Sequence, residues 1–168
     1  MNKERIQYAI SIMEQAKNLY MNSWQSAFKP VATINELHFC GNTACFAGYL
    51  ALSPLFKEVG GAVGSHGHPI LGDWVDELAV LAFFETDERY RPFMEALTLG
   101  HIDELFVGLE EFEQEDLALA EASETDRKVV QQVTDITGGL SWEEWEPKHV
   151  ITVLKDLLDG EFDWLLED

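Results

Sequence analysis

The residues best suited to chemistry lie in His38-Phe39-Cys40-Gly41-Asn42-Thr43-Ala44-Cys45, where an imidazole and two thiols share a short stretch of chain. Zinc prefers these ligand types. The spacing is not that of a zinc knuckle, because the cysteines stand five apart and the chain has only those two. A fourth ligand would have to come from His66, His68 or His101. A competing reading makes Cys45 a small buried hydrophobe among Ala44, Ala47 and Gly48, with Cys40 lining the turn before a helix. A third makes Cys40 a nucleophile whose thiolate is favoured by a helix N-terminus at Asn42. The packing reading is preferred; His38, Cys40 and Cys45 remain the metal candidates, and zinc is the one cofactor the residues suggest.

Ser65-His66-Gly67-His68 offers a His-x-His pair or a general base, yet no spacing supports either role and a polar loop is the simpler reading. Its glycines, Gly60, Gly61, Gly64 and Gly67, lack the Lys-Ser/Thr that a phosphate loop needs. Carboxylate pairs such as Glu110-Glu111 and Glu143-Glu144 carry no catalytic signal, because with thirty-one acids pairs arise by chance. No Asp-x-Asp-x-Asp-Gly calcium loop is present.

The acids carry more meaning as an array. Residues 1–57 hold five Lys/Arg and three Asp/Glu, a net of +2, whereas 58–168 hold six and twenty-eight, a net of −22, which together give the chain's −20. Small soluble domains usually carry a net charge of roughly 2–8, so this excess repels itself. Glu104, Glu110, Glu111, Glu113, Glu115, Asp116 and Glu121 would decorate one helix. At a rise of about 1.5 Å per residue its carboxylates would be spaced comparably to the phosphates of a DNA strand. Such a surface suits a basic protein partner, one that itself binds nucleic acid, and it repels nucleic acid and anionic membrane directly. The simpler alternative is a solvated acidic face. Trp164, beside Asp163, Glu167 and Asp168, would serve as an apolar anchor of the interface if exposed. Trp142 and Trp145 read as staples of the last helix to the core.

The elements that would position these groups follow from apolar spacing. Ile6, Ile10, Met13 and Tyr20 predict a helix over 3–21, and residues 22–41 read as a loop with an extended stretch around 36–39. A short helix over 43–52, capped by Asn42, should end at Pro54, its small face of Ala44, Ala47 and Gly48 admitting a close neighbour. Residues 60–68 read as a mobile glycine-rich loop. Helices are expected over 73–84, with Val75 on the apolar line, over 87–98 and over 102–121. Another follows Ser123 or Thr125 and stops at Gly138-Gly139, and a last one opens on the capping-box form of Ser141-Trp142-Glu143-Glu144 and stops at Gly160. The expected fold is all-α, a bundle-like single domain of about seven short helices spanning 1–168 with its acidic part at 58–168. Apolar runs are too short to span a bilayer, the N-terminus is unlike a signal peptide, and a cytoplasmic location with reduced thiols is expected.

Cys40-Gly41-Asn42-Thr43-Ala44-Cys45-Phe46-Ala47-Gly48-Tyr49 resembles a Cys-Gly-Thr-x-x-Cys-x-Ala-Gly-Trp motif of small uncharacterised proteins from bacteria and their phages. The closing helix after Pro147 and the tail Gly160-Glu161-Phe162-Asp163-Trp164 look like the Gly-x-Val-Asp-Trp ending of the same group. Asn42 stands where that motif has Thr, and Tyr49 where it has Trp. The resemblance implies a phage or mobile-element setting and a shared fold for the cysteine segment and the tail, and it adds no catalytic residue. The expected function is therefore non-enzymatic: an acidic binding protein presenting a DNA-mimicking surface to a host nucleic-acid-binding or defence protein. The alternative is a metal-dependent enzyme or zinc-stabilised module built on His38, Cys40 and Cys45.

Overall fold

Asn2 opens the first helix, its Oδ1 accepting the Arg5 N–H at 3.2 Å, and α1 (Lys3–Gln15) buries Ile6, Ala9, Ile10 and Met13 along one face. In the structure, a computed structural model that describes residues 1–21, 24–25, 31–38, 42–65, 67–98, 123–141 and 144–166, α1 stops well short of residue 21. Tertiary hydrogen bonds claim the backbone that would have continued it. The Asn18 carbonyl accepts the Ala44 N–H at 3.3 Å, the Tyr20 N–H reaches the Ala44 carbonyl at 3.0 Å, and the Asn18 N–H reaches Tyr49 Oη at 3.2 Å.

The stretch expected to be extended around 36–39 instead contains α2 (Ile34–Leu37). Thr33 Oγ1 accepts the Glu36 N–H at 3.2 Å while the Glu36 carboxylate accepts the Ala32 N–H at 2.8 Å, so a Thr-x-x-Glu capping arrangement outweighs the scattered β-branched residues. Next, α3 (Phe46–Leu52) starts after Cys45 rather than after Asn42. Pro54 does end it, and also begins α4 (Pro54–Glu58), whose first turn is capped by the buried Ser53 hydroxyl at 3.3 Å from the Phe56 N–H.

The glycine-rich segment is not all loop, because its residues 61–63 form a strand. Strands β1 (Gly61–Val63), β2 (Pro69–Leu71) and β3 (Trp74–Val75) form an antiparallel meander with Ala62 opposite Ile70 and Leu71 opposite Trp74, so the fold is mostly helical but not all-α. The glycines serve close packing. A Cβ on Gly61 would meet the Phe56 ring at 2.2 Å, on Gly64 the His68 ring at 2.1 Å, and on Gly67 the Gln25 side chain at 2.6 Å. Glycine content signals flexibility only where nothing packs on it, and here side chains press against the backbone.

The remaining helices are α5 (Asp76–Phe84), α6 (Arg91–Thr98), α7 (Glu124–Thr137) and α8 (Pro147–Asp159), which makes eight among the described residues. Helix α6 follows a single 3-10 turn over Glu88–Tyr90, so Pro92 falls in its first turn and leaves it unkinked. Helix α7 directly follows Ser123 and ends before Gly138 and Gly139, at φ 74° and 76°. Gly160, at φ 87°, closes α8. The anionic helix expected over 102–121 lies outside the described residues. Packing runs from the sheet through α5, α6, α7 and α8 to α1, with α3 touching α1, the sheet, α5 and α6. One buried cluster joins Phe46, Tyr49, Phe56, Phe83, Phe84, Phe93 and Phe162 to the aliphatic faces of α1, α6 and α8. Among the described residues no helix is long and apolar enough to cross a membrane.

Candidate functional site

The cysteine segment is built around the start of α3. Cys45 Sγ accepts the Gly48 N–H at 3.4 Å, so the thiol takes the place of an N-cap hydroxyl. The side chain is wholly enclosed, and burial pushes the thiol up to about 12, against the opposing pull of the backbone N–H groups. That is the environment of an inert structural thiol rather than a reactive one. His38 lies at the end of α2 with its ring 5.8 Å from that of Tyr49. Its Nε2 is enclosed and has no hydrogen-bond partner among the described residues, and burial first, then Lys17, lowers its basicity. Cys40 and His66 lie outside the described residues. No three His, Cys, Asp or Glu side chains converge as metal ligands among the described residues.

The acidic candidates Glu104, Glu110, Glu111, Glu113, Glu115, Asp116 and Glu121 also lie outside the described residues. Among the described residues the buried polar ones are Ser53, Thr98 and Thr137, with no Asp or Glu among them. Glu58, Asp73, Glu85, Asp87, Glu88, Asp135, Glu144, Asp159, Glu161 and Asp163 are exposed. Some meet cations: Arg5 with Glu85 at 3.1 Å, Arg89 with Asp87 at 3.0 Å, and Arg91 with both Glu77 at 3.3 Å and Glu95 at 2.7 Å. Hydrogen bonding to Arg89 holds the Asp87 carboxyl below its usual range.

Trp164 is not a free anchor. It is half-buried, its Nε1–H donates to Gln132 Oε1 at 2.8 Å, and Lys128 Nζ sits 3.7 Å above its ring. Residues 162–166 are fastened in a similar way. Phe162 is fully buried with its ring 4.5 Å from Phe93, Tyr90 Oη donates to Asp163 Oδ1 at 2.8 Å, and Arg89 donates to the Leu166 carbonyl at 2.9 Å. Burial and that carboxylate raise the Tyr90 pKa. Trp145 is buried, in accord with a stapling role; Trp142 lies outside the described residues.

The α8 cap differs from the one expected. Glu144 does accept from the Ser141 N–H at 3.1 Å and hydroxyl at 2.9 Å, but the helix starts later, where the Glu146 N–H donates to His149 Nδ1 at 2.9 Å. That bond requires a neutral imidazole, and burial together with Lys148 lowers the His149 pKa accordingly. A histidine whose folded pKa is depressed stabilises the fold fully above its unfolded value and loses that contribution as pH falls through it. Between about pH 7.5 and pH 5.5, spanning the unperturbed histidine value near 6.5, wild type should lose more melting temperature than His149→Gln. Glutamine keeps an acceptor at the capping position without titrating. Carboxylates and His38 titrate in both proteins, so identical pH profiles would remove His149 as the sensitive cap.

Sequence reasoning missed the β3 strand. Val75, expected on the apolar line of a helix, is 45% exposed and Trp74 is 53% exposed. The signal was Gly72-Asp73 between apolar pairs, a two-residue hairpin loop with Gly72 at φ 63°. Asp76 and Glu85, at φ 55° and 52°, are the non-glycine residues at positive φ among the described residues, and they bracket α5. No protein-family model matches the chain, and no curated protein or solved structure matches it.

Proposed function

We propose that this chain is a non-enzymatic acidic protein that works by binding a basic macromolecular partner. In the phage or mobile-element setting implied by the motif resemblance, that partner is a host nucleic-acid-binding or defence protein, and the carboxylates stand in for phosphates. The observation that carries the reading is the net −22 of residues 58–168 on a chain whose buried polar residues, among those described, include no Asp or Glu around one apolar core. Self-repulsion of this size costs stability, which a surface serving solubility alone has no need to bear. Helices and a packed meander hold the described acids in place, so little ordering entropy is lost on binding.

The test is capture from a bacterial lysate at low salt, identification of the salt-eluted protein, and competition of this chain against duplex DNA for it. Affinity should fall by about an order of magnitude or more as ionic strength rises past the ~0.1 M at which the screening length is ~10 Å. Displacement of the DNA supports phosphate mimicry. Salt-insensitive binding, or a partner that holds its DNA unchanged, overturns it.

A further inference from the structure

Among the strands of the described residues, β3 has the least cover. Consecutive strand residues point to opposite faces. With Trp74 and Val75 both about half exposed, neither face of β3 is packed over. Its ladder runs to β2, Ile70 opposite Val75 and Leu71 opposite Trp74, and its outer edge pairs with no strand among the described residues. The strand is nevertheless held at both ends. Gly72 at positive φ turns it back along β2, and Asp76 turns it into α5 in a left-handed conformation that residues with side chains adopt rarely. An uncovered edge bearing a tryptophan invites pairing with another chain.

Charge decides which chain. Residues 58–88 contain seven Asp/Glu and no Lys/Arg. Exposed Asp73 precedes Trp74, and Asp76 and Glu77 follow Val75, with Glu77 meeting Arg91 at 3.3 Å from the next helix. A second copy of this chain would bring another −20 to the contact, so self-pairing is opposed. An indole also offers a face to a cation, as Trp164 does to Lys128 at 3.7 Å in this same molecule. We infer that β3 is the docking edge for an extended, Arg- or Lys-bearing segment of the partner, which adds as a further strand and lays a cation over Trp74. This rests on the binding reading above and names its contact point.

The probe is a short fluorescein-labelled peptide of alternating arginine and valine, compared with a counterpart N-methylated along its backbone, which keeps the charge but cannot donate ladder hydrogen bonds. By fluorescence anisotropy at low salt, wild type should bind the first about five- to tenfold more tightly than the second. Trp74→Ala should lose about the same factor, and Trp74→Lys, which sets a like charge against the incoming cation, at least as much. Both substitutions fall on an exposed side chain, and unchanged melting temperatures confirm that the fold is intact. If both variants bind as wild type does, with the usual salt dependence, the β3 edge is overturned while the acidic-binding reading stands. If wild type binds neither peptide at low salt, both fall together.

Discussion

Gly48→Ala is expected to lower the melting temperature although it improves helix propensity. Alanine in a helix interior is favoured over glycine by about 1 kcal/mol. Against that, a Cβ at Gly48 would stand 1.8 Å from the Trp24 carbonyl oxygen and 2.9 Å from its carbon. Those atoms are backbone, so neither a rotamer change nor a flexible tip relieves the clash. Either residues 24–25 lift off α3 or α3 shifts within a core that includes Phe46, Tyr49 and Leu50. Overpacking of this kind costs about 1–3 kcal/mol or somewhat more, which outweighs the propensity gain. A net loss of about 1–2 kcal/mol corresponds to roughly 2–8 °C in a chain of this size. Thermal unfolding followed by circular dichroism reads it. An unchanged or higher melting temperature would show that the Trp24 backbone yields freely and does not rest on α3.

Phe162→Ala should cost more. The ring is fully buried and tilted against that of Phe93 on α6, with the ring centres 4.5 Å apart, so the residues after α8 close the core against α6. Removing a buried phenylalanine costs about 3–5 kcal/mol, through lost transfer free energy and the cavity left behind. Roughly 10–15 °C of melting temperature should go with it. Tyr90→Phe, which removes only the hydroxyl bonded to Asp163, should cost about 1 kcal/mol and separates packing from hydrogen bonding at the same latch. Urea titration of the three proteins reads the order. A Phe162→Ala loss no larger than that of Tyr90→Phe would mean that the tail frays and the core closes without it. Phe162→Ala removes no charged group, so the folded variant should keep the salt-dependent binding of wild type.

Much of the helical framework was legible from apolar spacing and punctuation. The face of α1, the stop of α7 at Gly138 and the stop of α8 at Gly160 follow from local rules, because caps and amphipathic stripes are written within a few residues of where they act. The errors have a different origin. Residues 16–21 leave the helix, where Asn18 and Tyr20 hydrogen-bond instead to Ala44 and Tyr49, distant in sequence. Residues 60–68, which include β1, read as a loop because their glycines are required by packing against Phe56, His68 and Gln25, which glycine content by itself does not reveal. Val75, Leu78, Ala79 and Ala82 fit a helical period, but the Gly72-Asp73 turn puts Val75 in a strand before the helix begins.

The candidate site divides along the same line. The sequence by itself determined the charge, since net charge and its division between 1–57 and 58–168 are sums over residues that no folding alters. It also determined that Cys45, set among small residues at a helix start, would suit burial. Only the tertiary structure decided that Trp164 is occupied by Gln132 and Lys128 while Trp74 stands half exposed on a sheet edge. Both are tryptophans next to acids, and they differ only in what the rest of the chain packs against them. Exposure is set by contacts between residues far apart in sequence, and those contacts exist only once the core has closed.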